Sequence, residues 1–143
     1  MAFVPAILHQ FGITSIGIRG LNATPQSMDE LIENYEFQQT DPPFTWEEFC
    51  AKREEVQLAY ALREIRSQRT KELIETDWVE LPYNRDRLTN LEDWLTYRQA
   101  LRDIPSTITA SDLVWNIKST AHSTFKCEKF DLLTRPPIVR NSA

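Results

Sequence analysis

Thr45–Thr76 reads TWEEFCAKREEVQLAYALREIRSQRTKELIET, with no proline or glycine in it. Thr45-Trp46-Glu47-Glu48 is a capping box, in which the threonine hydroxyl takes a free amide of the first turn and Glu48 reaches back to the cap amide. Glu48 and Lys52 stand four apart in the favourable order for a helical ion pair. One apolar stripe runs Trp46, Phe49, Val56 and Tyr60. A second runs Leu58, Leu62, Ile65 and, after a polar gap, Leu73. Two stripes on one helix imply contact on two sides, or a bend near Arg66–Thr70. Unbroken, the helix is about 45 Å long, which calls for a hairpin partner or another chain to cover it.

Working outward toward the C-terminus, Trp78–Leu88 reads as a loop held by Pro82. A further helix is expected from Asn90, a plausible cap residue, to Asp103, with Pro105 ending it. Its apolar face is Leu91, Trp94, Leu95, Tyr97, Leu101 and Ile104, with Arg98 and Arg102 alongside. Two helices with matching stripes and a short connection pack as an antiparallel hairpin. Beyond Pro105 the helical period fades. Leu113, Val114 and Trp115 form an apolar patch, and Phe125, Phe130, Leu132 and Leu133 precede Arg135-Pro136-Pro137-Ile138. Residues 106–143 therefore read as an extended arm with one short strand or helical turn.

Toward the N-terminus, Ser27-Met28-Asp29-Glu30 is another capping box, with Asp29 and Glu30 well placed against the positive end of the helix dipole. A short helix should run to Phe37, burying Leu31, Ile32 and Tyr35, until Asp41-Pro42-Pro43 stops it. Met1–Gly20 is rich in β-branched residues, and Gly12–Gly20 reads as one strand or an extended arm. A lone strand must pair elsewhere in this chain or on a partner's sheet edge. The expected fold class is mainly α: a helical hairpin over 45–105, an extended arm and short helix over 1–44, and an extended arm over 106–143, with one or two short strands.

The totals exclude several classes. With 3 glycines in 143 residues, a sandwich or barrel lacks the residues its tight turns need, and a phosphate-cradling loop has little to build on. The formal net charge of −5 sets the overall field against nucleic acid and anionic lipid. Arg63, Arg66, Arg69 and Lys71 are denser than other basic residues, but no aromatic interleaves them and Glu64, Glu72 and Glu75 dilute them. A solvated helix face accounts for them better than a nucleic-acid groove. No run of about 18 apolar residues can span a membrane. Met1–Ile18 lacks a basic start, and His9, Gln10, Thr14 and Ser15 interrupt its apolar run, so a secretory signal is not expected. Cys50 and Cys127 read as reduced thiols rather than a disulfide framework.

Chemistry is sparse. His9 and His122 have no cysteine or carboxylate beside them at a ligand spacing, so neither a metal site nor a Cys–His nucleophile is indicated. Glu47-Glu48 and Glu54-Glu55 are explained by capping and solvation. No Gly-rich phosphate loop, serine elbow or metalloprotease helix occurs. No catalytic residue, cofactor or metal is therefore expected. What stands out is four tryptophans, Trp46, Trp78, Trp94 and Trp115, whose large apolar rings serve either a core or an interface. Trp46 and Trp94 fall on helical stripes and favour the core; Trp78 and Trp115 lie outside the regular periods.

Arg69–Pro105 resembles the phage tail assembly chaperone family. The likeness rests on the helix exit Leu-Ile-Glu-Thr-Asp-Trp at Leu73–Trp78 followed by Leu81-Pro82, on Tyr-Arg-Gln-Ala-Leu-Arg-Asp-Ile-Pro at Tyr97–Pro105, and on Asp112-Leu113-Val114-Trp115. Asn116 stands where the family typically has a proline, and residues before Pro43 carry no motif of it. The resemblance implies a non-catalytic protein that binds the tail fibre, or a baseplate protein, and shields its apolar surface during assembly. It would work in the host cytoplasm and stay with the virion tail in one version of the reading. By the same resemblance Trp78, Trp94, Tyr97, Arg98, Leu101, Arg102 and Trp115 are the hairpin's internal glue or its contact face. Tyr97 and Leu101 pack inward, while Arg98 and Arg102 are free to meet carboxylates of the fibre. Two other readings remain beside it: a structural adaptor of the tail or baseplate, and a small nucleic-acid-binding regulator, which the acidic balance disfavours.

Overall fold

Both capping boxes form. The amide of Glu48 donates to Thr45 Oγ1 (3.2 Å) and the amide of Thr45 to Glu48 Oε1 (3.1 Å), opening helix α3, Trp46–Glu75. Ser27 Oγ accepts from the Glu30 amide at 3.2 Å to open α2, Met28–Asn34. Here the return bond is displaced by one residue, since Glu30 Oε2 accepts from the Gln26 amide at 2.6 Å. The expected Glu48–Lys52 pair is replaced by Lys52–Glu55 at 3.2 Å; Glu48 is engaged at the cap.

The computed structural model describes residues 3–13, 17–18, 25–36, 42–117 and 123–141. The other positions of the Gly12–Gly20 strand, the stop at Asp41 and His122 lie outside the described residues, whereas the helix expected to reach Phe37 ends at Asn34, because Tyr35 and Glu36 are extended and pair as a strand. Packing divides the chain into two units, Met1–Tyr60 with Leu113–Lys126, and Ala61–Asp112 with Cys127–Ala143. These borders differ from the 1–44, 45–105 and 106–143 segments expected from sequence, and α3 contributes to both units.

In the first unit, Val4–Gln10 is a helix, α1, where an extended arm was expected. Pro5 fits its first turn, where a missing N–H costs nothing. Gly12, at φ 81°, closes it: the amides of Gly12 and Ile13 donate to the carbonyls of His9 and Leu8 at 3.0 and 3.1 Å, a pairing that needs the left-handed backbone glycine adopts freely. The strand reading survives as β1, Gly17–Ile18, paired antiparallel with β2, Tyr35–Glu36, in the register Gly17↔Glu36 and Ile18↔Tyr35. Phe3, Val4, Ile7 and Leu8 of α1 bury against Leu31, Tyr35, Phe44 and Phe49, with the first α3 stripe (Trp46, Val56, Tyr60) and Trp115 packed on the rim. The expected arm after Pro105 contains the strands β3, Leu113–Ile117, and β4, Ser123–Cys127, which form a two-stranded sheet.

In the second unit the hairpin forms. Helix α5, Leu91–Thr107, lies antiparallel to the end of α3: Arg98 reaches Leu73 and Thr76, while Arg69 Nη1 donates to the Arg102 carbonyl at 3.3 Å. The connection is not the expected loop. It contains a 3₁₀ turn, Asp77–Glu80, and a short helix α4, Pro82–Arg85, with Pro82 at its start. Asn84 Nδ2 donates to the Trp78 carbonyl at 2.8 Å and joins the two. Pro105 does not stop α5; it is buried inside the helix, and Thr107 Oγ1 donates to the Ile104 carbonyl (2.9 Å), satisfying an acceptor of the last turn. Asn90 caps nothing with its side chain; its amide nitrogen donates instead to the Pro137 carbonyl at 2.7 Å. Beyond β4 comes a short helix α6, Glu128–Asp131, and residues 133–139 then run without helix or strand.

Candidate partner-binding site

An α-helix ends with four backbone carbonyls that lack intrahelical donors, at the negative end of its dipole. The last turn of α3 contains no basic residue, so its sequence supplies no local remedy. Thr76 provides part of one, donating from its hydroxyl to the Glu72 carbonyl at 2.8 Å. Arg98 provides the rest from α5. Its Nη1 donates to the Leu73 carbonyl (2.8 Å) and to Thr76 Oγ1 (2.5 Å). Its Nε donates to Glu80 Oε2 (2.9 Å), and Nη2 meets Asp77 Oδ1 and Glu80 Oε2, each at 2.8 Å. Four of the five guanidinium N–H groups thus have a hydrogen-bond acceptor, and Nη2 also lies within ion-pair range of Glu80. Buried charges persist when they are paired and hydrogen-bonded; the buried Arg98 side chain has two carboxylate partners and four hydrogen bonds. It is a helix cap delivered from the neighbouring helix, and it welds the turn Asp77–Glu80 to both.

The spacing along α5 explains how a cation arrives there. Trp94, Arg98, Leu101 and Pro105 recur at helical intervals on one face, and all four are buried. Arg98 therefore lies in the apolar stripe rather than beside it, which corrects its assignment to a partner's carboxylates. Around it Val79, Leu88, Trp94, Tyr97 and Leu101 form the unit's core, with Trp78, Leu73, Leu91, Phe130 and Leu133 against them. Trp78 and Trp94 meet edge to face at 5.4 Å, a favoured aromatic geometry.

Of the residues singled out from sequence, Trp94, Tyr97, Arg98 and Leu101 come together inside the second unit and are buried. Trp78 is half-buried beside them. Arg102 is exposed and holds the same Glu80 oxygen at 3.3 Å. Trp115 is in the first unit, half-buried among Phe3 (5.0 Å), Phe125 (5.3 Å) and Tyr60 (6.2 Å). Sequence reasoning missed Thr76, Asp77 and Glu80, although a helix exit with no basic residue, opposite an arginine inside an apolar stripe, was the available signal.

A second set of polar groups lies on the same unit. Tyr97 donates its hydroxyl to Glu72 Oε1 at 2.7 Å. Burial, and then that bond, push the phenol up to about 12. Arg135 holds Glu72 through Nε and, at 2.8 Å, through Nη2, which also reaches Glu75 Oε2 at 2.7 Å. The Arg135 bonds keep the Glu72 carboxyl below the usual carboxylate range, against an opposing push from burial. Helix α5 also has no basic residue in its last turn, and Lys129 supplies one from a distance, donating to the Thr107 carbonyl (3.0 Å) and to Asp112 Oδ2 (3.1 Å).

Among the described residues no cluster of histidine, cysteine, aspartate or glutamate is arranged to hold a metal ion, and no helix is long and apolar enough to cross a membrane. Cys50 and Cys127 are free thiols. The polar groups around Arg98 are spent on one another, an arrangement suited to holding a shape. No curated protein and no solved structure matches the chain. Residues 62–116, the stretch that holds Arg98 and every group it touches, match the family described as phage tail assembly chaperone protein.

Proposed function

We propose that this protein is a phage tail assembly chaperone whose client is the tail-fibre protein, that it binds the client in the host cytoplasm through its hairpin, and that it performs no catalysis. The observation that carries the reading is that the segment matching the family is the hairpin closed by Arg98. Support comes also from what the hairpin leaves uncovered. With Trp94, Tyr97, Arg98 and Leu101 inside, the large apolar side chains on its outside are Ile74, Leu81 and Tyr83, exposed by 65%, 56% and 66%. Leu81 and Tyr83 stand on the connection that the lock makes rigid, and Arg87 lies over the Tyr83 ring at 4.1 Å. Rigid aromatic and aliphatic anchors of this kind lose little entropy on binding an apolar client. Trp78, Arg102 and Trp115, partly accessible, remain candidates for secondary contacts.

Co-expression with the fibre protein of the same phage tests the reading. Soluble fibre yield should rise several-fold with the native protein, and the gain should fall with L81S/Y83S while the melting temperature of the chaperone stays within a degree or two. Fibre yield that is indifferent to the protein, together with its presence at fixed stoichiometry in purified particles, would replace the chaperone by a structural adaptor. Trp115→Ala offers a check on the first unit: loss of capture without loss of stability makes Trp115 a contact, and the reverse makes it core.

A further inference from the structure

Residues 135–141 are attached to the hairpin in a way that resembles a bound peptide more than a packed element. At one end Arg135 is gripped by Glu72 and Glu75, with Tyr97 orienting Glu72. In the middle the Pro137 carbonyl accepts from Asn90 Nδ2 (2.7 Å) and Trp94 Nε1 (3.3 Å). At the other end the chain pairs like a strand: the Thr89 amide donates to the Val139 carbonyl and the Asn141 amide to the Arg87 carbonyl, each at 2.9 Å, around an antiparallel bridge between Leu88 and Arg140. The segment's own apolar side chains do little of the holding, since Ile138 and Val139 are exposed by 55% and 44%. What the hairpin recognises is an arginine and an extended backbone, which other polypeptides also carry.

The fit has one defect. Asn90 Oδ1 is buried and has no hydrogen-bond partner. In an extended chain a residue presents its C=O and its N–H to the same neighbour, and a full pairing uses both. Asn90 donates to the carbonyl of residue 137, but residue 137 is proline and has no N–H to return. A buried acceptor left empty destabilises the bound state.

We infer that this face of the hairpin is a peptide-docking site, that residues 135–141 are its replaceable resident, and that a client displaces them with an extended segment carrying an arginine and, two residues on, a residue other than proline. The inference rests on the chaperone reading for the client's identity; the site's chemistry is independent of it.

The test uses the full-length protein without substitution and two synthetic peptides, one with the sequence of residues 133–141 and one with that sequence carrying P137A. Both should bind, the P137A peptide about tenfold more tightly, as expected for one recovered buried hydrogen bond. On binding, the protein's own Asn141 amide should lose protection from hydrogen exchange, while the Thr89 amide keeps it because a peptide carbonyl replaces that of Val139. Failure of both peptides to bind at millimolar concentration overturns the inference, as does equal affinity or binding that leaves Asn141 protected. A dimeric mass at rising protein concentration, without peptide and with Asn141 still protected, also overturns it, in favour of exchange between copies of this chain. Peptide exchange without rescue of fibre solubility would sink the chaperone reading alone; rescue without peptide exchange would sink this inference alone.

Discussion

Around Phe49 the first unit is rings against rings: Phe44 and Trp46 stack on Phe49 at 5.8 and 5.2 Å, and Phe11 stacks on Phe44 at 4.5 Å. Around Arg98 the second unit is a charge held by four hydrogen bonds, inside a smaller apolar core. Apolar contact is non-directional, so the first arrangement tolerates small shifts as long as volume is kept. A planar guanidinium in a fixed set of acceptors does not. The two regions show different routes to order: area removed from water in one, stereospecific pairing in the other. It is the second that contains most of the residues matching the family.

The largest expected effects set the two side by side. Phe49→Ala should cost about 3–5 kcal/mol by leaving a cavity, and Arg98→Ala about 3 kcal/mol by leaving Thr76 Oγ1 and the Leu73 carbonyl without their donor, both read from urea unfolding at pH 7. Conservative replacements should then separate them. Phe49→Leu should recover most of its loss, while Arg98→Lys, which keeps the charge but not the fork, should recover little. Equal recovery at both sites would erase the contrast.

Next in size is Tyr97→Phe, which removes a hydrogen bond to a carboxylate worth roughly 1.5–3 kcal/mol. The phenol is raised from 10.0 to about 12 in the folded chain, so its stabilisation is complete below pH 10 and disappears as pH rises through about 12. Alkaline unfolding of the native protein should show this loss in that window, and Tyr97→Phe should not. A native profile identical to the variant's would remove Tyr97 from the network.

Ser27→Ala and Thr45→Ala should each cost about 1 kcal/mol, lowering the melting temperature modestly and leaving the second unit's near-ultraviolet signal from Trp94 unchanged. Smallest is Arg135→Gln. The Glu72 carboxyl is lowered from 4.5, so its stabilisation is present above that pH and is lost as pH falls through the lower folded value. At neutral pH the exposed pairing with Arg135 is worth on the order of 0.2–1 kcal/mol, and the variant should flatten the acid limb of the stability profile. An acid limb unchanged in Arg135→Gln would show that Arg135 is not held there in solution.

How much of this was legible depends on whether the determining groups are neighbours in sequence. Thr45 with Glu48, and Ser27 with Glu30, lie three apart; the first box forms in full, and the second keeps its serine cap while Glu30 bonds the Gln26 amide in place of the cap amide. The α3 stripes repeat at helical spacing, and Phe49 and Ile65 are buried as the stripes require. Helix α1 was equally local, marked by Pro5 and Gly12, but the β-branched residues around Ile13 outweighed those marks in the reading. Pro105 misled for a different reason: it lies in the last turn of α5, where the side chain of Thr107 takes up a carbonyl that a proline-ended helix would leave to solvent.

The amino-acid sequence on its own determined where α2 and α3 begin, where their apolar stripes lie and that two helices fold back on each other, because those follow from periodicity and from contacts within one or two turns. Only the tertiary structure decided how the helices end. The last turns of α3 and α5 contain no cation, and each is completed by one from another element, Arg98 and Lys129. The identity of Arg135's acceptors, and the engagement of Asn90 by a proline carbonyl 47 residues away, were settled in the same way. Unsatisfied backbone and buried charge demand partners, but nothing local says which distant residue will supply them until the chain has closed.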